Sequence, residues 1–199
     1  INSVSAFEDC LISDPDFYEA MIALGSYKFW KSKKTEFLNW LPFIDDEKDL
    51  GISYLQKAVK HSGYNSHLAI YSLIWIYIEQ KNYDKAILLA EDALKNYPDS
   101  RMFKWGLARA LEDVNLERSI SDYYDILNSY PASLKTNKIN IVTLKHIIAQ
   151  QLVKLKRVNE ALDICNEILS INGYTDFERD KLEDRIERVK DLKKSLTRR

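Results

Sequence analysis

A helix-turn-helix pattern that recurs at a fixed period constrains this chain more than any other feature. Two stretches, which begin at Ile70 and Met102, each show a helical pattern, a short polar turn, a second helical pattern and then Tyr-Pro. The closing prolines, Pro98 and Pro131, stand 33 residues apart. Because proline is tolerated at helix starts and not in helix interiors, each one ends a unit and prepares the next. The period predicts an array of stacked helix pairs.

Small residues recur at the positions where the two helices of a unit would cross closely. They are Ala86, Ala93, Ala108 and Ser119. Large apolar residues at helical spacing surround them and would fill the space between units. The whole chain holds only 5 Gly and 4 Pro, which is too little turn chemistry for an all-β protein. The sequence therefore predicts an all-α fold.

This pattern resembles the tetratricopeptide repeat, a helix-turn-helix unit of about 34 residues. The residues that fall on the family's signature slots in the first two stretches are Leu73, Tyr77, Ala86, Ala90, Ala93 and Pro98, then Leu107, Ala108, Leu111, Ser119, Tyr123, Ile126 and Pro131. A third unit carries Ile148, Ala149, Leu152, Ala161, Cys165 and Ile168. The resemblance implies an all-α, α-α superhelix, a solenoid of such repeats that ends in a C-terminal capping helix.

In this register we expect a single solenoid domain over residues 1–199. Its predicted parts are a partial repeat at 3–14, repeats at 18–64, 67–100, 101–133 and 136–174, and a capping helix at 176–197. The chain begins at Ile1 and not at Met, so we interpret it as a piece of a longer protein. Its cellular compartment is therefore unknown.

The second of these predicted units contains an insertion. The two small slots at Gly25 and Gly51 are 26 residues apart, where the resemblance implies about twelve. About fourteen residues, at roughly 35–48, are thus extra. They include Trp40 and Phe43, which are candidate partner-binding residues. Three readings stay open: the insertion packs on neighbouring units, forms part of a partner site, or docks on a membrane surface.

The resemblance also implies where a partner would bind, because first helices line the concave groove of such arrays. Family contact positions fall on Phe29, Trp30, Tyr71, Trp75, Glu79, Trp105, Arg109, His146, Gln150 and Lys154. Tryptophan, tyrosine and arginine are the residues enriched in binding hot spots. A peptide or protein partner is therefore expected there. The alternative is that the insertion or the terminal helix fills the groove from within.

No constellation of residues points to catalysis. His61, His67 and His146 show no metal-ligand spacing, and the sequence has no Gly-rich phosphate loop and no nucleophile elbow. We therefore expect no catalytic residue, no metal site and no cofactor. Lys plus Arg is 29 and Asp plus Glu is 30, a balance that argues against nucleic acid as a partner. The sequence also contains no apolar run long enough for a transmembrane segment.

The expected function is that of a non-catalytic module for protein-protein interaction, which binds a peptide or partner protein in an aromatic-lined concave groove. The alternative is a structural or self-associating repeat segment. Its aromatic surface would then pack on another copy, as in a homodimer, or on a missing neighbouring domain. Accessibility of the aromatic side chains and concentration-dependent association distinguish the two.

Overall fold

The computed structural model describes residues 3–38, 45–130 and 137–198, which form helices and no strand. The α-helices in chain order are α1 (Ser3–Ser13), α2 (Tyr18–Lys34), α3 (Lys48–His61), α4 (Ser66–Glu79), α5 (Tyr83–Asn96), α6 (Arg101–Leu111), α7 (Leu116–Asn128), α8 (Lys138–Lys154), α9 (Val158–Ser170) and α10 (Asp176–Thr197). A 3-10 turn spans Glu36–Leu38. This confirms the predicted all-α class of packed helix pairs, typical of an α-solenoid. A single domain stays a prediction.

The chain divides into two compact units, Ile1–Gly106 and Leu107–Arg199, with the division inside α6. In the first unit, α1 packs on α2, α2 on α3, α3 on α4 and α4 on α5. In the second unit, α7 packs on α8, α8 on α9, and α10 on both α8 and α9. The predicted small residues Gly25 and Gly51 are buried where α2 meets α3.

The core of the first unit is an apolar cluster that spans α2, α3 and α4. Phe29, Leu55, Ala69 and Ile76 are each no more than 1% exposed within it. On α4, the cluster members Ala69, Leu73 and Ile76 recur at the three- and four-residue spacing of one helix face. Burial of one such face per helix fixes which residues of α2 and α4 remain at the surface.

Two turns between paired helices share one local geometry. Lys81 and Lys156 follow the ends of α4 and α8 with φ of 57° and 62°. The amide of Asn82 donates to the carbonyl of Tyr77 at 2.8 Å, and the amide of Arg157 donates to the corresponding carbonyl of Leu152 at 2.9 Å. This is a left-handed helix end that satisfies the last carbonyls. A lysine occupies each position where glycine is usual.

A buried polar contact joins α6 to α7 within the second unit. The Ser119 hydroxyl donates to the Ala108 carbonyl at 2.8 Å, and both residues are fully buried. Close by, the Tyr123 hydroxyl donates to Glu112 at 2.7 Å, and Arg109 donates to the other oxygen of that carboxylate. Burial raises the pKa of Tyr123, and the Glu112 charge raises it further. Tyr123 therefore remains a hydrogen-bond donor.

The last helix, α10, begins with a capping box. The Thr175 side chain accepts from the Glu178 amide, and the Glu178 carboxylate accepts from the Thr175 amide. Leu182, Val189 and Leu196 recur every seven residues along α10 and are buried. This narrow stripe is what a helix needs to cover α8 and α9 with one face.

Paired charges connect the two edges of the insertion to α2. The Glu47 amide donates to the buried Ser32 hydroxyl at 2.9 Å, and Lys28 donates to the Glu47 carboxylate. Glu36 accepts from Lys33 at 3.0 Å and from Lys48 at 2.9 Å. Lys28, Lys33 and Lys48 are therefore paired with acidic residues. The candidate residues Trp40 and Phe43 lie outside the described residues.

None of the helices that the structure describes is both long enough and apolar enough to cross a membrane.

Candidate functional site

The strongest candidate site is a surface of the first unit that we call the α2–α4 face. It consists of the residues of α2 and α4 that line a shallow cavity of about 360 Å³ between these helices. The lining residues are Glu19, Ile22, Ala23 and Ser26 from α2, Leu68, Tyr71 and Ser72 from α4, and Asn65 just before α4. Leu68 is 42% exposed, so an apolar side chain is available at this surface.

Two contacts between α2 and α4 fix how the row of residues that α2 contributes to this face aligns with the row from α4. The Ser26 hydroxyl donates to the Ser72 hydroxyl at 3.0 Å. Further along both helices, the Lys33 ammonium lies 3.5 Å from the Glu79 carboxylate. Ser26 to Lys33 and Ser72 to Glu79 are both spans of seven residues, about two helical turns. The two helices therefore keep the same register along this distance.

Trp30 and Trp75 lie between these two contacts. Trp30 is four residues after Ser26 and three residues before Lys33. Trp75 is three residues after Ser72 and four residues before Glu79. Residues three and four apart share one helix face, so the two tryptophans occupy facing rows of the α2–α4 face. The face thus continues from the cavity into an aromatic section.

Trp30 and Trp75 differ in how far each side chain is exposed and in which aromatic ring it contacts. Trp30 is 41% exposed and stands edge-on to Phe29, with ring centroids 5.2 Å apart. Trp75 is half-buried and meets Tyr71 edge-on at 6.0 Å. The Trp75 indole nitrogen is buried and has no hydrogen-bond partner among the described residues. Edge-to-face pairs hold aromatic rings in fixed orientations, which favours binding without a large ordering cost.

Phe29 does not belong to the surface, which corrects its place among the expected groove residues. It is 1% exposed and packs in the core with Leu55 and Ile76. Successive helical residues point about 100° apart, so the burial of Phe29 turns its neighbour Trp30 outward.

Trp105, on α6, is half-buried.

The second unit holds the remaining expected residues, which are Arg109, His146, Gln150 and Lys154. Gln150 and Lys154 are exposed on α8. Lys154 lines a pocket of about 410 Å³ together with Glu112, Asp113 and residues 114–117 and 155. Arg109 is occupied by its ion pair with Glu112. The charged residues of this pocket are three acidic side chains and Lys154, and it contains no aromatic side chain, so it differs from the α2–α4 face.

His146 is the second residue whose expected place is corrected, because it is only 2% exposed. Its Nδ1 atom lies 3.4 Å from the Arg185 guanidinium of α10, and a guanidinium can only donate, so Nδ1 accepts. Burial lowers the pKa of His146 to about 4, with smaller contributions from Arg185 and Arg188. The ring is therefore neutral at physiological pH and unavailable to a partner.

Several residues that line the cavity of the α2–α4 face were not among the expected contacts, including Glu19, Ile22, Ala23, Ser26, Asn65 and Ser72. Their signal is present in the sequence, because positions 19, 23, 26, 30 and 33 of α2 follow the spacing of one helix face. Recognising this row requires the contact between α2 and α4. Within the described residues, no group of His, Cys, Asp and Glu side chains is arranged to hold a metal ion.

Comparison with known families gives one match. A family model described as Tetratricopeptide repeat matches residues 49–100 and 71–133, which cover α3 to α7. A search of the curated proteins returned no match. The matched residues include α4, which supplies one wall of the α2–α4 face, and α2 precedes them.

Proposed function

We propose, because a Tetratricopeptide repeat family model matches residues 49–133, that the chain is a non-catalytic protein-interaction module that binds a peptide on its α2–α4 face. Repeats of this family generally mediate protein-protein interaction. The repeat family leaves open which surface binds and what it binds. The proposal for this surface is supported by the arrangement of α2 and α4.

The observation that carries the proposal is the pair of facing rows that contain Trp30 and Trp75. A cavity with the exposed Leu68 continues these rows at one end. Large aromatic side chains in partly desolvated surroundings dominate the energy of protein interfaces. A continuous surface of this kind, built on two helices, provides rigid anchors for a segment that lies along it.

The polar groups of the face favour a ligand with apolar anchors over one with a free carboxylate. Lys33, the cation at the end of the face, is already paired with Glu36 and Glu79. At the other end, Glu19 accepts a hydrogen bond from Ser62 at 3.1 Å. The two serines between them satisfy each other. We therefore propose an extended or helical peptide whose large apolar side chains contact Leu68, Trp30 and Trp75.

Selection from a phage-displayed library of random peptides tests this function. Peptides selected on the wild-type protein are synthesised, and their affinities for variants are measured by fluorescence polarisation. We expect Leu68→Asp and Trp30→Ala to weaken binding at least about tenfold, because each change removes an apolar contact. Tyr64→Ala is the matched control, since Tyr64 is 85% exposed and does not line the cavity. Unchanged affinity of Leu68→Asp and Trp30→Ala for every selected peptide would overturn the proposal.

The self-associating alternative is favoured by a different surface. Helix α1 has no buried residue, and its Ile12 is 80% exposed. Sedimentation velocity over about a hundredfold range of concentration detects a dimer by mass action. If this alternative holds, a dimer forms and Ile12→Asp weakens it, while the selected peptides do not respond to Leu68→Asp. A monomer at all concentrations removes it.

A further inference from the structure

A second groove lies between α3 and α5 of the first unit, and we call it the α3–α5 groove. Its cavity volume is about 640 Å³, larger than the cavity of the α2–α4 face. That volume is within the range of sites that enclose a small ligand or several side chains. Residues of α3 and α5 form its walls, and Leu73 and Tyr77 of α4 form its floor. It therefore lies on the second helices of two consecutive helix pairs.

The floor of the α3–α5 groove is apolar and continuous with the core. Leu73 is 3% exposed and belongs to the core cluster. Val59 and Leu89 are half-buried and pack against that cluster. Leu88, on the α5 wall, is 68% exposed. An apolar side chain placed here would contact the core surface and cover Leu88, which is a favourable burial of apolar area.

The ring of Tyr77 is held in place at the floor by polar groups from both walls. The Gln56 amide of α3 donates to the Tyr77 hydroxyl at 3.2 Å. The Lys85 ammonium of α5 lies 5.7 Å from the Tyr77 ring centroid, in cation–π range. The floor is therefore organised before a partner arrives, which reduces the ordering cost of binding.

The lining of the α3–α5 groove carries a net positive charge, because it contains two lysines and one aspartate. Lys60 of α3 and Lys85 of α5 line the groove. Neither forms an ion pair with a carboxylate of the described residues. The acidic residue of the lining, Asp92, pairs with Lys95 at 3.1 Å. In contrast, Lys28 of the same unit is paired with two glutamates. The groove therefore presents an apolar floor between two ammonium groups that form no ion pair within the described residues, and Lys85 also contacts the Tyr77 ring.

We propose that the α3–α5 groove is a second docking site, for an acidic amphipathic peptide segment of a partner protein. A leucine or phenylalanine side chain of that segment would lie on Leu73, Leu88 and Leu89. Aspartate or glutamate side chains on either side would pair with Lys60 and Lys85. Charge complementarity selects this class of partner, because opposite charges steer association and a basic segment would be repelled. The site is separate from the α2–α4 face, so each can bind independently.

The test uses random dodecapeptides displayed on phage, selected on the wild-type protein after depletion on the Leu88→Asp variant. We expect the surviving peptides to carry Asp or Glu next to a large apolar residue. A synthesised member should bind Lys60→Glu, Lys85→Glu and Leu88→Ala at least about tenfold more weakly than the wild type. Its version with amides in place of the carboxylates should lose affinity to the same extent.

Two variants serve as controls. Lys57→Glu makes the same charge change on α3 at an exposed residue that does not line the groove, and it should bind like the wild type. Leu68→Asp alters the α2–α4 face and should also leave this binding unchanged. Circular dichroism verifies that each variant is folded, which is expected because all the substituted side chains of the groove are at least partly exposed.

Three outcomes would overturn the proposal. The first is that no peptide survives depletion on Leu88→Asp. The second is that the surviving peptides are neutral or basic. The third is that their affinity is the same for Lys60→Glu and Lys85→Glu as for Lys57→Glu, which would mean that the two wall lysines do not contact the peptide.

Discussion

Gly25 and Gly51 face each other where α2 crosses α3, and neither position has room for a methyl group. A Cβ atom on Gly51 would lie 2.5 Å from the Gly25 carbonyl oxygen and 2.9 Å from the Phe29 amide nitrogen. A Cβ atom on Gly25 would lie 2.7 Å from the Gly51 carbonyl oxygen. The obstacles are backbone atoms, which cannot turn aside as a flexible side chain can. The crossing therefore requires glycine on both helices.

Gly51→Ala should destabilise the first unit by about 2–3 kcal/mol, because the methyl group forces the two backbones apart. An unobstructed glycine-to-alanine change within a helix would instead stabilise by up to about 1 kcal/mol, so the sign of the effect is informative. Urea denaturation measures it. Gly63→Ala is the control, since no atom lies within 4 Å of a Cβ there. A Gly51→Ala variant as stable as the wild type would contradict the crossing.

Lys81→Gly and Lys156→Gly should each stabilise the protein by about 1 kcal/mol. Both lysines have positive φ, a conformation that glycine adopts without the steric penalty of a side chain. Thermal or urea denaturation of each single variant gives the change in the free energy of unfolding. Lys57→Gly, within α3, should lose about 1 kcal/mol and so controls for a general effect of glycine. A loss of stability in Lys81→Gly would mean that its turn is not left-handed.

His146 should make the protein less stable as the pH falls from about 6.5 to about 4. Above this range the ring is neutral in both the folded and the unfolded chain and contributes nothing to the pH dependence. Within this pH range, His146 binds a proton in the unfolded chain but stays neutral in the folded chain. The loss reaches at most about 3 kcal/mol. Denaturation of wild type and His146→Gln across this range isolates the contribution.

The expected result for His146 is that the stability difference between wild type and His146→Gln shifts against the wild type as the pH decreases. Arg185→Met should make the slope shallower, because it removes a positive charge that lowers the pKa of His146. Parallel pH profiles of wild type and His146→Gln would show that the ring is not buried in its neutral form.

Tyr123→Phe should cost about 1–2 kcal/mol in the second unit. The change removes a buried donor to Glu112 and leaves the ion pair of that carboxylate with Arg109. Tyr124→Phe is a matched control on the same helix, because Tyr124 is 37% exposed. If both variants unfold at the same urea concentration as the wild type, the Tyr123 hydroxyl has no structural role.

The positions of close helix approach could be predicted from the sequence. The repeat period placed Gly25, Gly51, Ala108 and Ser119 at helix crossings, and all four are buried there. A short turn joins α6 to α7 and fixes which of their residues meet, whereas α2 and α3 keep their small residues at the crossing although the insertion separates them.

The accessible surface could be predicted only in part. Phe29 and Trp30 are adjacent aromatic residues, and only the packing of α2 on α3 determines which of them is buried. His146 follows the expected face of α8, but Arg185 of a helix distant in sequence covers it. The α3–α5 groove depends on the space left between two helices that are not neighbours in the chain. No local sequence pattern predicts the distance between α3 and α5.

The measurement that tests the central claim most directly is an NMR titration of the tryptophan indole N–H signals with a selected peptide that binds Leu88→Asp as tightly as the wild type. Tryptophan-to-phenylalanine variants assign the signals. We predict that the signals of Trp30 and Trp75 shift together as the complex forms. A complex that leaves both signals unchanged would contradict the claim that the α2–α4 face binds the peptide.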